Sequence, residues 1–445
     1  MKKLRVLVSL CIVMGMFTFC NEHAPNTHAI KKMESVEITK DIIFNRSYTA
    51  SLFYEKHGYN TVWFDKKNRE ELISFLLNDI QKEGLFTHNY NLQRLIYAHA
   101  YYEDLSYDQI VQTDLDFTHH FLLAAYHLEF GKINPKRFYN DWEIEKIPYF
   151  DIDNLQNAIA TSEVKKGLQN KIPSNNIYKD LNKVFRSLTD ESDEYRKKVI
   201  VNMERARWLP DNFGDYYVWV NIPEEKLQLV ENGTVTAEHK VITGKIDRKT
   251  PILSSVFNNL IINPTWTIPP TILKNDVVPK ATANREYFVN NRIRIINKST
   301  GKVVNIEEWD PENYNSYRYV QASGPLNSLG LIKFNFPNDH MVYLHDTNNK
   351  SLFVRNDRAL SSGCVRVEKP FELAERILQI EGNALTRVDL DTLVARQKMK
   401  TLPLKKIVNI HQTYLTAYVK NGQLQTFKDV YDLDDRFYKR LKKNS

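Results

Sequence analysis

The hydrophobic period of this chain changes once, near Trp208, Leu209 and Pro210, and that change restricts the fold it can adopt. From about residue 36 to 200 the apolar residues recur at helical spacing. In NREELISFLLNDIQKEGL, Leu72, Ile73, Phe75, Leu76, Leu77 and Ile80 gather on one face, and Gly84 ends the pattern. In DLDFTHHFLLAAYHLEFGKINP the stripe runs through Phe117, Phe121, Leu122, Ala125 and Leu128, then stops at Gly131 ahead of Pro135. Further helices are expected over roughly 153–169 and 176–206. After Trp208 the period is two. YYVWVNI (216–222), KLQLV (226–230), the turn Glu231-Asn232-Gly233 and TVTAEHKVIT (234–243) read as a meander with a hairpin. VFNNLIINPTW and MVYLHD continue as strands, PFELAERILQI reads as a helix opening at Pro370, and YLTAYVKNGQLQTF (414–427) reads as a second hairpin. The expected class is α+β: an all-helical domain over 36–200, then a β-rich domain over 201–400 and a C-terminal extension, 401–445, with the hairpin and a basic tail. Residues 267–328, rich in Asn, Pro and charge, are too irregular for a core and too long for a plain connection. They are expected to form an inserted lid or capping subdomain.

The N-terminus has an export pattern. Lys2, Lys3 and Arg5 precede a 15-residue apolar run, Val6 to Cys20, which is short for a membrane span and suits a signal segment. Residues 1–29 are therefore expected to be a signal peptide or an N-terminal anchor in the inner membrane, with the body exported to the periplasm or cell envelope. Phe19 stands before Cys20 where lipidation needs a small residue. The net charge of +7 is small for 445 residues and is concentrated only at Arg436, Lys439, Arg440, Lys442 and Lys443, a solvated tail rather than a nucleic-acid site. His57, His88, His99, His119, His120 and His127 lack a ligand spacing such as H-E-x-x-H, so neither a metal nor another cofactor is expected.

Of the 3 cysteines, Cys11 and Cys20 belong to the export segment, which leaves Cys364 as a lone thiol in an oxidising compartment. In SSGCVRVEKP, a strand over 364–368 sends Val365 and Val367 to the core and Cys364, Arg366 and Glu368 to the other face. Alternation in MVYLH likewise puts Met341, Tyr343 and His345 together, opposite Val342 and Leu344. A loop and a return strand can bring His345 within hydrogen-bond reach of Cys364, and Arg366 favours the thiolate. Gly363 leaves room for a substrate, and the backbone N–H groups of Gly363 and Cys364 could face an oxyanion. Ser361 and Ser362 are placed to hydrogen-bond the turn.

HDT at 345–347 followed by SSGCVR at 361–366 resembles the L,D-transpeptidase (YkuD-domain) family, whose signature is a His followed by [S/T]-H-G-C-hydrophobic-R. NMERARWLP, INPTWTIPP, GPLNSLGLIKFNFPN, YLHDT and the 414–435 stretch resemble its large periplasmic YcbB-like branch, and VWFD and YHLEFGKINP look like that branch's helical scaffold. Two departures stand out: Ser362 occupies the usual His position, leaving open what orients His345, and the passage into NMERARWLP has no room for a peptidoglycan-binding module. The resemblance implies Cys364 as nucleophile and His345 as general base and acid, with Arg366, Ser361, Ser362, Tyr343 and Asn335 in support. It implies peptidoglycan stem peptides as donor and acceptor, 3-3 cross-links formed through a thioester, and β-lactams of the carbapenem class as covalent inhibitors. Stem-peptide hydrolysis by an L,D-carboxypeptidase or other cysteine hydrolase is the alternative.

Overall fold

The computed structural model describes residues 37–38, 48–139, 142–144, 152–189 and 194–443; the export segment lies outside them. The first half is helical. Its main helices are Tyr48–Lys56, Lys66–Ser74, Tyr107–Phe130, Ile152–Ala160, Val164–Gln169, Asn176–Ser187 and Glu194–Arg207. The helix beginning at Lys66 runs on through a π turn and a 3-10 turn to left-handed Gly84, as its stripe predicts. The helix expected over 153–169 is instead broken at Ser162, whose φ is +52°. Trp63, Phe75, Phe117 and Phe121 fill the core, and Asp114 ties it together by accepting from Tyr54 Oη (2.5 Å) and from the N–H groups of Val62 and Trp63 (2.8 and 2.7 Å). His120 bonds the Asp116 carbonyl and His127 bonds Tyr90, so both are satisfied core histidines.

The second half is built on strands. In chain order these are β1 (Trp142–Glu143), β2 (Tyr216–Asn221), β3 (Lys226–Glu231), β4 (Thr234–Gly244), β5 (Ile252–Val256), β6 (Asn259–Ile262), β7 (Trp266–Thr267), β8 (Ile293–Asn297), β9 (Val303–Val304), β10 (Tyr317–Gln321), β11 (Ile332–Asn335), β12 (Leu344–His345), β13 (Ala359–Ser361), β14 (Val365–Val367), β15 (Lys400–Pro403) and β16 (Asn409–Thr413). Asn232 and Gly233, both with positive φ, make the tight β3–β4 turn that their sequence predicts. The large sheet runs β1-β5-β16-β2-β3-β4-β14-β12-β11-β6-β15, with β13 beside β4. Its valine, leucine and phenylalanine side chains pack with those of the helix Pro370–Ile380 into one core that includes Val365 and Val367.

Three expectations are corrected. Residues 400–413 are sheet strands and not part of an extension, because β16 pairs with both β2 and β5 in the middle of the sheet. The basic tail is the amphipathic helix Asp434–Lys442, whose Phe437 packs on Phe138, Tyr139 and Trp208 while its cations face outward. The irregular-looking stretch after Trp266 does have a core. Its sheet, β7-β10-β8-β9, packs with short helices around Ile268, Leu273, Phe288, Ile295, Trp309 and Tyr319.

Candidate active site

Strand register places the reactive side chains. β12 and β14 run parallel, with His345 opposite Arg366 and Leu344 opposite Val365. Leu344 and Val365 therefore enter the core, whereas His345 and Arg366 emerge on the other face with Tyr343 and Cys364 one step behind them. β11 adds Lys333 directly across from His345. MVYLH is strand only at its end: Met341 has φ +56° and is 70% exposed, so it leaves the face it was expected to share with Tyr343 and His345.

Tyr343, His345, Cys364 and Arg366 form the floor of a cavity of about 750 Å³. One wall is the loop from Lys245 to Lys249. Trp266, Ile268, Pro269 and Tyr287 of the small subdomain form the roof. Two contacts tie roof to floor. Trp266 Nε1 donates to Tyr343 Oη at 3.2 Å, and Arg248 binds Asp276 of the roof while donating to Ser362 Oγ at 2.9 Å.

Cys364 is half-buried and lines this cavity. Burial holds its pKa above the ordinary thiol value, and the Tyr343 main chain, the Lys333 ammonium, the Tyr343 hydroxyl and the Arg366 guanidinium offset that rise only in part. The Tyr343 hydroxyl acts on the sulfur electrostatically, and among the described residues no hydrogen bond joins Cys364 to His345. The expected direct thiol–imidazole contact is thus replaced by a diagonal one, because register sets Tyr343, not His345, beside the cysteine. Nδ1 of His345 donates to the main-chain carbonyl of Asp346, which orients the ring without the histidine that Ser362 replaces. Burial first, then the Arg366 guanidinium, push the imidazole pKa down to about 3, against the pull of the Asp346 and Leu329 carbonyls. The ring is neutral near pH 7, with Nε2 as its basic nitrogen.

The turn before the cysteine is tightly bonded. Ser361 Oγ donates to the Cys364 carbonyl (2.6 Å) and accepts from the Gly363 N–H (3.2 Å). Gly363 N–H is therefore occupied and drops out as an oxyanion donor, a further correction; the Cys364 N–H has no protein acceptor among the described residues. Gly363 itself has φ +109°, and a Cβ there would meet the Lys249 carbonyl at 3.3 Å. Thr250 Oγ1 fixes the Gly363 carbonyl at 2.8 Å.

Among the described residues Arg366 reaches only Thr347 Oγ1, at 3.5 Å, and its Nε has no hydrogen-bond partner. Asn335 does not line the cavity. It donates to Asn259 Oδ1 (2.8 Å) and joins β11 to β6, because it lies beyond the row that Lys333 shares with His345. Sequence reasoning missed Lys333, Arg248 and Asp276. Lys333 alone carried a signal, a cation on the outer face of an otherwise apolar strand, between Ile332 and Phe334. No group of His, Cys, Asp or Glu among the described residues is arranged to hold a metal ion.

The chain thus joins a helical domain to a lidded β-domain with a cavity-lining thiol, and comparison bears on each part. Residues 49–184 match the model of the Scaffold domain, and residues 215–394 match the YkuD model, the L,D-transpeptidase catalytic domain. The chain thus combines a Scaffold domain with a YkuD L,D-transpeptidase catalytic domain, a YcbB-like architecture. A Haemophilus influenzae protein named "Putative L,D-transpeptidase" is 33% identical over 293 residues, or 63% of this chain. The match spans 58% of that protein's length. A solved structure, that of the Ldtfm-avibactam carbamoyl enzyme, matches 45% of this chain and 49% of its own at 11% identity, with a TM-score of 0.22. A likeness that slight carries no argument here.

Proposed function

We propose that this protein is a peptidoglycan-modifying acyltransferase that joins two stem peptides through a thioester on Cys364. What supports the reading most is that Cys364 and His345 emerge on one face of neighbouring parallel strands and line a single roofed cavity. Neutral His345 takes the thiol proton through Nε2, with Nδ1 held by Asp346. Rotation about the Cys364 side-chain bond carries the sulfur from Tyr343 toward the imidazole. The thiolate then attacks the carbonyl of the third stem residue; the C–S bond forms, the C–N bond to the terminal D-Ala breaks, and the departing amine takes the proton from His345. An amine of a second stem attacks the thioester, its C–N bond forms as C–S breaks, and the proton it loses returns to sulfur through His345. The product is a 3-3 cross-link. The Cys364 N–H stabilises the oxyanion in both steps.

The roof has a use in this scheme. Water competes with the acceptor amine for the thioester, and a cavity closed by Trp266 and by the Arg248–Asp276 pair favours transfer over hydrolysis. Incubation with purified disaccharide-tetrapeptide, followed by mass spectrometry, tests the function: dimers that have lost one D-Ala support it, and trimmed monomers alone overturn it in favour of a carboxypeptidase. Export to the envelope and acylation by a carbapenem belong to the same reading. A covalent adduct on wild-type protein and none on Cys364→Ala, read by intact mass, is the expected result.

A further inference from the structure

The roofed cavity carries positive charge that its own carboxylates do not cancel. Five cationic side chains line it, Lys245, Arg248, Lys249, Lys280 and Arg366, against two carboxylates, Asp247 and Asp276. Both carboxylates are taken: Asp247 lies 3.2 Å from Lys245, and Asp276 of the roof binds Arg248 of the wall. His340 faces Glu143 at 3.0 Å, and His345 is the neutral base on β12. Among the described residues, Lys249, Lys280 and Arg366 have no carboxylate within ion-pair distance; the two lysines lie over the Tyr431 and Tyr287 rings, and Arg366 reaches Thr347.

Each of the three belongs to a different surface of the cavity. Lys249 is on the loop wall, Lys280 on the roof helix Val278–Ala283 and Arg366 on the floor. A Cβ on Gly363 would meet the Lys249 carbonyl, so this lysine flanks the turn that carries Cys364. Arg248 directly precedes Lys249, and Asp276 stands four residues before Lys280. The Arg248–Asp276 pair therefore holds the segments of both lysines together where wall meets roof. Like charges gathered in a roofed cleft repel one another and focus a positive potential into it, which an anionic ligand relieves. Three separate cations suit a ligand with several carboxylates, each making a charge-assisted hydrogen bond. A stem donor can supply them: besides the terminal carboxylate of D-Ala, its second and third residues carry carboxylates on their side arms unless these are amidated.

We propose that Lys249 and Lys280, with Arg366 at the floor, form a carboxylate-binding set that selects donor stems whose side-arm carboxylates are free. The proposal rests on the reading of Cys364 as a nucleophile toward stem peptides, and it adds which form of the stem is the donor. An amidated stem presents neutral groups to the same cations and leaves them without a counter-charge.

The test compares the disaccharide-tetrapeptide with side-arm carboxylates free and the same compound with both amidated. The full chain is used as wild type, as the double variant Lys249→Met with Lys280→Met, and as Lys249→Arg with Lys280→Arg. D-Ala release is measured, because it counts every acylation of Cys364 whether an amine or water resolves the thioester. In wild type the free donor is favoured about tenfold in kcat/KM, the product of two partly screened ion pairs of about threefold each. The difference lies in KM and narrows as salt is added. In the Met variant the preference falls to about twofold or less, and in the Arg variant it keeps the wild-type value, since charge makes the contact. Equal rates for the two donors in wild type overturn the proposal, as does a preference that the Met variant retains. Muropeptide dimers scored in the same reactions separate the two ideas. Dimers made equally well from both donors remove the role of the lysines alone, trimmed monomers alone remove the transferase reading and not the donor preference, and no D-Ala release from either donor removes both.

Discussion

Replacing Tyr343 by Phe removes one oxygen from the centre of the site and leaves the ring under Lys333 in place. That oxygen accepts from Trp266 Nε1 at 3.2 Å and favours the charged form of the Cys364 sulfur. A hydrogen bond to a charged group is worth about 1.5–3 kcal/mol, so its loss from the thiolate raises the thiol pKa by about 1–2 units. A more basic thiolate is also a better nucleophile, with a Brønsted slope near ~0.45, and the alkylation rate at pH 7 should fall about four- to twelvefold. The Trp266 indole loses its acceptor but is only half-buried and can turn to water, so the folded state should lose no more than about 1 kcal/mol. The assay is iodoacetamide alkylation across pH, with the label located on Cys364 by peptide mass spectrometry and unfolding followed in urea. A Tyr343→Phe profile that superimposes on wild type would show that the hydroxyl does nothing for the sulfur, and the electrostatic account of this site would fail with it.

Other outcomes follow from the same geometry. Gly363→Ala must adopt a φ of +109° with its Cβ 3.3 Å from the Lys249 carbonyl, so it should cost about 1–3 kcal/mol in urea unfolding and abolish carbapenem acylation. Asp276→Asn loosens the roof from Arg248 and should raise the ratio of trimmed monomer to cross-linked dimer in the muropeptide assay while leaving Cys364 alkylation unchanged. Burial holds the pKa of both His127 and His345 down to about 3, against about 6.5 in the unfolded chain. Between those values the unfolded chain binds protons that the folded chain refuses, so stability falls as the pH drops from about 6.5 toward 3. His127→Gln should flatten that loss, measured as the urea midpoint against pH. Asn335→Ala, outside the cavity, should leave both alkylation and acylation at wild-type rates.

Much of the fold could be read from the one-dimensional pattern because the responsible interactions are local. A stripe at Leu72, Phe75 and Leu76 is a helix wherever a core exists to receive it, and Asn232-Gly233 turns the chain because both residues tolerate positive φ. The small subdomain was harder to read: its core residues Ile268, Phe288, Trp309 and Tyr319 are spread among polar loops with no sustained period. Strands β15 and β16 were missed as members of the sheet for a related reason. Nothing in residues 400–413 says that they pair with strands more than 130 residues earlier.

For the site, the amino-acid order was enough to single out Cys364, His345 and Arg366, since alternation along two short strands puts them on the face away from the core. What it left undetermined was register. Whether the imidazole or the phenol stands beside the sulfur, and which lysine stands across from the imidazole, depend on how β11, β12 and β14 align, a matter of a single residue step. Pattern reveals which side of a strand a residue occupies because that depends only on the pleat. Its partners across the sheet depend on packing and hydrogen bonds contributed by distant parts of the chain, and those exist only once the molecule has folded.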